Sequence, residues 1–472
     1  MHGMLSFSGK EEALKFISNN NIKILNLCHV PEDGRLRTLS FSAADNDRVA
    51  EILDFGERAD GSSLFQSIAP ENSDIYLQPK LQRAFVNPFA VLPTVNLMCE
   101  YLDEKGEPLD IAPSSVLRKA EESLQSSEGI VMKGLAELEF YIITPQQAWP
   151  LFPAEPDRNY HASSPFAHHE AVRNEILVVL DMMGIQTKYG HGEVGHIISK
   201  NGVIMEQHEI ELIPQTLSQM AETIALAKWA VRNVCLRHDV SVSFVPKIDL
   251  AHAGTGMHVH LCVTRRGKNI TSDPRMTLSR EALAIVGGIL KLAPSLSAFG
   301  NPTPISYLRF AARKESPMHV CWSARNRLAL IRIPLWWNFK KTSHSEDCRR
   351  TFEYRAPDAF ANAHMLLAGL AIAAEYGIDN SEEMISIAED LHVDSVVGRS
   401  RKLQNLPRSC VESAANLKKQ RHFYEANGIF PRKLIDSVIS RLETYNDKNL
   451  VKSLSSKPEM LETLATQYMH YG

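Results

Sequence analysis

Glu137-Leu138-Glu139-Phe140 is the stretch from which the rest of the chain can be read. In an extended strand, residues i and i+2 project to the same side, so Glu137 and Glu139 would stand together on one face. Met257-His258-Val259-His260 repeats the arrangement with imidazoles. Two further segments bear the same kinds of side chain: Gly192-Glu193 through Gln207-His208-Glu209, and Phe352-Glu353-Tyr354-Arg355. Carboxylates on an inner face are costly to desolvate unless something cationic meets them. Glu137, Glu139, Glu193, Glu209 and Glu353 with His258 supply mostly hard oxygen donors, which suit Mg2+ or Mn2+ better than zinc. The pattern predicts a metal-dependent enzyme. A lone Glu-x-Glu would more often be a solvated face, but ligand-type residues in four segments outweigh that reading.

The remaining composition excludes other classes. The chain has 472 residues, with 51 basic and 55 acidic side chains and a formal charge of −4. Near balance of charge points to no nucleic-acid or membrane surface. No apolar run resembles a signal peptide or a membrane span. The seven cysteines are scattered without CxxC spacing, so free thiols in a reducing, cytoplasmic compartment are expected. Gly3 to Gly9-Lys10 has the wrong spacing for a P-loop, and no GxGxxG follows a strand.

The periodicities predict an α+β protein. Residues 1–110 read as a small β-rich domain with strands over Ile22–Val30, Arg37–Ser42 and Val91–Tyr101. Residues 111–472 read as a larger domain. It opens with a proline-assisted helix over 112–127 and has amphipathic helices near 169–184, 215–237, 279–297 and 359–377. Beyond about Asn380 the chain is mostly helical. Asn201-Gly202 lies between extended apolar runs, a strong hairpin signal. Folding about it would place Ile198 opposite Met205, with Glu193 and Val194 beside Glu209 and Ile210. His168-His169 reads as too isolated to ligate a metal, and Trp336-Trp337 as packing.

Seven motifs occur in order: Asp60-Gly61-Ser62-Ser63, Glu137-x-Glu139-Phe140, Gln207-His208-Glu209-Ile210, Gly256-Met257-His258-Val259-His260, Asn301-Pro302-Thr303 with Ser306-Tyr307-x-Arg309, Asn326-Arg327 with Arg332-Ile333-Pro334, and Glu353-x-Arg355-x-Pro357-Asp358. Together they resemble the glutamine synthetase family, most closely its bacterial-type branch. The resemblance implies a β-grasp domain before a catalytic domain whose curved antiparallel sheet forms a funnel, and a helical C-terminal region. It implies ATP-dependent formation of glutamine from glutamate and ammonia through a γ-glutamyl phosphate. It also implies a cytoplasmic homo-oligomer, a dodecamer of two stacked hexameric rings, whose sites are completed by the neighbouring subunit.

Residue by residue, the resemblance places Glu139, Glu193 and Glu209 on one metal ion and Glu137, His258 and Glu353 on another, Mg2+ or Mn2+. Arg327, Arg332 and Arg355 would clamp phosphoryl and carboxylate oxygens. Arg309 and Gly254 would lie at the amino-acid substrate, while His260 reads equally as a nucleotide contact or as packing. Asp60, Ser63, Tyr160, Glu193 and Glu315 match the ammonium pocket, with Asp60 as base and Glu315 as the loop acid excluding water. Several positions depart from the family pattern. Ala253 replaces an asparagine, Glu206 a glycine, Lys80 an aspartate, Cys262 a serine and His364 a tyrosine, and about eight extra residues separate Glu193 from Glu209. Gln404 stands where some bacterial members carry an adenylylated tyrosine. Two other functions stay open: a γ-glutamyl ligase using a polyamine or other amine, and a catalytically silent assembly on the same fold.

Overall fold

The computed structural model describes residues 3–145, 152, 155–199, 202–311, 316–336, 349–394, 402–456 and 459–472. Its N-terminal part runs α1 (Lys10–Asn19), β1 (Ile24–His29), β2 (Arg37–Ser42), α2 (Asn46–Phe55), β3 (Glu57–Asp60), β4 (Asp74–Val86) and β5 (Thr94–Leu102). The five strands form one sheet in the order β2-β1-β5-β4-β3, in which β1 and β5 are parallel and the other neighbours antiparallel. The sequence reading found β1, β2 and β5 but neither helix. α2 had a local signal: Asp45 caps it, its carboxylate accepting from the backbone N–H of Asp47 and Arg48. This sheet and its helices make the smaller part of an α+β protein.

The larger part begins with α3 (Pro113–Glu128), which has proline in its first turn and ends at Gly129 with φ 63°. There follow β6 (Ile130–Pro145), α4 (Glu170–Met182), β7 (Thr187–Ile198), β8 (Val203–Leu212), β9 (Gln215–Thr216), α5 (Leu217–Arg237), β10 (Ser241–Ser243), β11 (Met257–Arg265) and β12 (Lys268–Asn269). Then come α6 (Arg280–Gly300), α7 (Pro304–Ala311), β13 (Trp322–Ala324), β14 (Ile331–Ile333), β15 (Phe352–Tyr354), α8 (Ala363–Asp379) and α9 (Ser381–Asp390), with further helices beyond 409. The second sheet runs β13-β14-β15-β11-β6-β8-β7, with β9 and β10 beside β6 and β12 beside β11.

β6 organises this sheet. Its backward-facing residues Ala136, Leu138, Phe140 and Ile142 are fully buried, and α5 packs against the strand. Gly134 approaches Met220 of α5 so closely that a Cβ there would lie 2.9 Å from its sulfur. The forward-facing residues are Glu137, Glu139 and Tyr141. α6 is the one helix among the described residues long and apolar enough to cross a membrane, and it is buried against α8 and α9. Glu222 of α5 joins the two sheets by pairing with Lys80 and, at 2.9 Å, with Arg83 Nε, both on β4. The six described cysteines are buried thiols.

The β7–β8 hairpin forms as expected but in a different register. Ile198 faces Ile204, not Met205, and His191 rather than Glu193 faces Glu209. Ser199 N–H donates to Val203 O at 2.8 Å and Gly202 N–H to Ser199 O at 3.0 Å, with Gly202 at φ 75°. The connection is thus a three-residue loop with glycine in the left-handed region, one residue longer than the two-residue turn that Asn-Gly suggested. A bulge between Gly192 and His196 shifts the rest.

Candidate active site

Strand pairing brings the distant segments together on the forward face of the second sheet. Glu137 lies opposite His258 on β11 and opposite Glu211 on β8, and Glu139 lies opposite Glu209. His260 lies opposite Glu353, which lies opposite Arg332. Glu139, Glu209 and His258 line a cavity of about 210 Å3 whose walls also include Glu193, Arg309, Arg327 and Arg355.

Glu137 and Glu353 take different partners. Glu137 accepts from His258 Nδ1 at 2.8 Å and His260 Nε2 at 2.9 Å, and His260 Nδ1 meets Thr351 Oγ1 at 3.1 Å. Glu353, fully buried, pairs with Arg355 and with Arg332 Nη1 at 2.8 Å. Arg309 is braced by carbonyls: Nη1 donates to Ala356 O at 2.9 Å, and Nη2 to Arg355 O at 3.1 Å and to His258 Nε2 at 3.2 Å. Gly256 N–H donates to Glu139 Oε2 at 2.6 Å. A Cβ on Gly256 would stand 2.6 Å from Arg309 Nη2 and 2.8 Å from His258 Nε2, so any side chain there would have to push these two groups aside.

The titrations show how unevenly charge is balanced. Burial, then the charge of Glu193, pushes Glu139 up to about 8. Burial, then the charge of Glu137, pushes Glu209 well above the carboxylate range. Burial also works against Glu137, but the two histidines outweigh it and hold its carboxyl well below the usual range. Burial, then Arg355, lowers His258 to about 4, leaving a neutral imidazole with a lone pair to offer. Like-charged carboxylates forced to keep protons, beside a neutral histidine, make a donor set that fits a hard divalent cation. Three groups here have ligand atoms within 4.8 Å of one another: Glu137 with Glu209 and His258, Glu137 with His260 and Glu353, and His191 with Glu193 and Glu209. These groups cross the two triads implied by the family resemblance, sharing Glu137 and Glu209 and adding His191 and His260.

Other expected residues fall elsewhere. Gly254 lines the cavity, but Tyr160 lies in an adjoining groove, stacked on His161 at 4.2 Å. Asp157, three residues earlier, lines the cavity in its stead because the loop turns back on β7, His161 N–H reaching Gly192 O at 2.9 Å. Asp60 and Ser63 sit at the edge of the first sheet, with Ser63 Oγ donating to Asp60 Oδ2 at 2.6 Å. The hydroxyls of Ser63 and Ser62 hold Asp60 below the ordinary carboxylate range. Among the described residues lining the cavity, none comes from the N-terminal sheet. Glu315 and Trp337 lie outside the described residues, whereas Trp336 is buried, its indole N–H donating to Thr351 O at 3.1 Å.

Sequence reasoning quoted Gln207 within a motif without giving it a role, and passed over Glu211. Gln207 Nε2 donates to Gly254 O at 3.0 Å and to Glu139 Oε2 at 3.3 Å, linking three segments of the site. Glu211, almost fully buried, pairs with Lys188 at 2.7 Å. Both share a face with Glu209 by the period of two, and that signal was available.

Comparisons with known proteins agree with this geometry. The family profile "Glutamine synthetase, catalytic domain" matches residues 110–447 and "Glutamine synthetase, beta-Grasp domain" matches 21–104. A glutamine synthetase of Streptomyces filamentosus is 30% identical, covering 96% of this chain and 97% of that protein. One of Thermotoga maritima is 29% identical, over 89% and 92%. Among solved structures, Plasmodium falciparum glutamine synthetase superposes with TM-score 0.79 at 20% identity, over 95% and 97%. The GmaS/ADP complex superposes with TM-score 0.73 at 21% identity, over 93% and 96%, and both show likeness of fold.

Proposed function

The chain belongs to the glutamine synthetase family, and from that premise we propose an ATP-dependent carbon–nitrogen ligase that joins the γ-carboxylate of glutamate to ammonia. The supporting observation is that Glu139, Glu193, Glu209, His258, Arg327 and Arg355 line one cavity, with Glu137 and Glu353 joined to it through the ligand atoms of Glu209, His258 and His260. Glu139, Glu193 and Glu209 would hold one divalent cation and Glu137, His258 and Glu353 another. Such cations, when bound, neutralise phosphoryl oxygens and bring two anions together.

The chain's own groups do the rest. Arg332 and Arg355, aimed by Glu353, offer guanidinium forks to the transferring phosphoryl group, with Arg327 beside them. Arg309 is rigidly held where the amino-acid carboxylate would lie, next to Gly254. His260, tied to Glu137, would meet the nucleotide. Ammonia then displaces phosphate from the γ-glutamyl phosphate. Asp60 and Ser63 would reach the cavity from a neighbouring subunit, bind ammonium with Glu193, and take its proton at the Asp60 carboxylate. Tyr160 and Glu315 would close that pocket. This reading takes the domains as 1–110 and 111–472 and the assembly as two stacked six-membered rings.

Phosphate release from ATP with Mg2+ and glutamate is the test, run with ammonia and then with a panel of amines. Turnover with ammonia is expected, and none with any amine would overturn the reading. Ala253 favours one alternative. It lines the cavity where a side-chain amide would be expected, which suits a ligase for a larger amine. Turnover restricted to such an amine would select it.

A further inference from the structure

Behind β8, on the opposite face of the sheet from the cavity, lies a second cluster. β8 alternates: Gln207, Glu209 and Glu211 point forward, and Glu206 and His208 point back. His208 lies opposite Phe140, which is in the core, and Glu206 lies opposite His196 of β7. His169, at the start of α4, closes the cluster from below; its sequence isolation hid a contact made only by folding. Exposure is 6% for His169, 1% for His196 and 0% for both Glu206 and His208.

Glu206 Oε2 accepts from His169 Nδ1 at 2.7 Å and from His169 N–H at 3.2 Å, while Oε1 has no hydrogen-bond donor. No hydrogen bond among the described residues reaches either ring nitrogen of His196 or His208. Buried imidazoles are seldom left this way, because each unpartnered nitrogen forfeits its hydration. His208 Nε2 stands 3.5 Å from Glu206 Oε1, and ligand atoms of His169, Glu206 and His208 lie within 4.8 Å of one another. Arg173 is the neighbouring cation, its Nη2 offset by Glu170 at 3.4 Å.

We propose that His169, Glu206 and His208 form a structural site for zinc or a similar borderline transition-metal ion, with the His196 imidazole of the facing strand as a further candidate donor. Two imidazoles and one carboxylate, with His196 available on the facing strand, suit tetrahedral zinc, whereas Mg2+ prefers oxygen donors and retained waters. The site would fasten the long hairpin to α4, and so hold the strand that presents Glu209 on its other face. It also accounts for two departures from the family pattern, Glu206 in place of glycine and the lengthened hairpin. The assignment does not depend on the reaction catalysed in front.

Metal content tests it. The full-length protein, equilibrated with limiting zinc and then dialysed, should retain one zinc per chain by elemental analysis. With Co2+ in its place, the visible d–d bands of a tetrahedral site should appear. Glu206→Gln and His208→Gln should each lose that ion, and Glu139→Gln should keep it. No stoichiometric zinc in the unmodified protein would overturn the proposal. So would zinc lost from Glu139→Gln but kept by Glu206→Gln, since the ion would then sit in the cavity. If the Glu206→Gln or His208→Gln chain fails to fold, retention of one zinc and of the tetrahedral Co2+ bands by Glu139→Gln carries the test, and their loss there would overturn the proposal.

Discussion

The two faces of β8 carry similar residue types under different electrostatics. In front, Glu209 shares a cavity with Glu139, Glu193 and three arginines, so carboxylates outnumber imidazoles and guanidiniums stand by. Behind, Glu206 is a single carboxylate among three histidines. The front suits hard cations that come and go with an anionic substrate, and the back suits a softer ion that stays. A one-residue slip of β8 would exchange the two sets, so register matters as much as residue type.

The largest expected effect separates the faces. Glu139→Ala and Glu353→Gln should each cut Mg2+-dependent phosphate release by on the order of 10²–10³-fold or more, since both remove charge aimed at the reacting oxygens. Glu353→Gln also leaves Arg332 and Arg355 without their anion. Glu206→Gln should cost about tenfold, the low end of what support one layer removed from the chemistry is worth. Equal losses on both faces, in steady-state kinetics, would erase the distinction.

Gly256→Ala is a smaller lesion confined to the front. Its Cβ would press on Arg309 and His258 without altering any charge. Displacing these groups by about an ångström should lower kcat roughly 10²-fold, while zinc retention behind stays unchanged. Unaltered kcat would mean that the arginine brace is not part of the working geometry.

Much of the front face was legible in the sequence and little of the back. Glu137-x-Glu139, His258-x-His260 and Glu353 announce themselves by spacing within a strand, and strand periodicity is a local property. Glu193 was placed near Glu209 through a turn signal, although the register was off by one residue at the turn, where Gly202 sits at the left-handed position of a longer loop, and by more beyond the bulge between Gly192 and His196. The helices over 113–128 and 217–237 followed from capping and amphipathic pattern. Asp157 could not be read, since its place depends on a loop folding back onto β7. His169 could not either, because thirty-seven residues separate it from Glu206 and neither periodicity nor a turn motif links them.

Protonation should sharpen the contrast further. Glu139 rises from an ordinary 4.5 to about 8 in the folded chain. A carboxyl raised in this way stabilises the metal-free fold fully below pH 4.5, and that contribution is lost as pH climbs through 8. Mg2+ replaces the proton, so stabilisation by Mg2+ should grow across the same window, and binding near neutral pH should release protons. Melting curves with and without Mg2+ at about pH 6 and pH 8.5, with calorimetry in buffers of different ionisation enthalpy, would check both. A Mg2+ effect independent of pH would mean that Glu139 is not displaced by the ion.

The smallest expected effect belongs to the back face alone. His208 is lowered to about 3, chiefly by burial. A histidine depressed in this way contributes stability that is present above its ordinary 6.5 and is lost as pH falls through 3. The metal-free protein should therefore weaken progressively on acidification from near neutrality, with the His208 ring neutral in the folded state. A bound zinc ion needs that same neutral ring, which the folded chain keeps down to about pH 3, so zinc should raise Tm by a few degrees near pH 7.5 and by about as much at pH 5. Mg2+ behaves differently, its stabilisation growing between about pH 6 and pH 8.5, because its ligands include a carboxylate raised by burial rather than an imidazole lowered by it. If zinc and Mg2+ gave the same pH profile in melting experiments, both ions would be binding one set of side chains, and the two faces of β8 would not be chemically distinct.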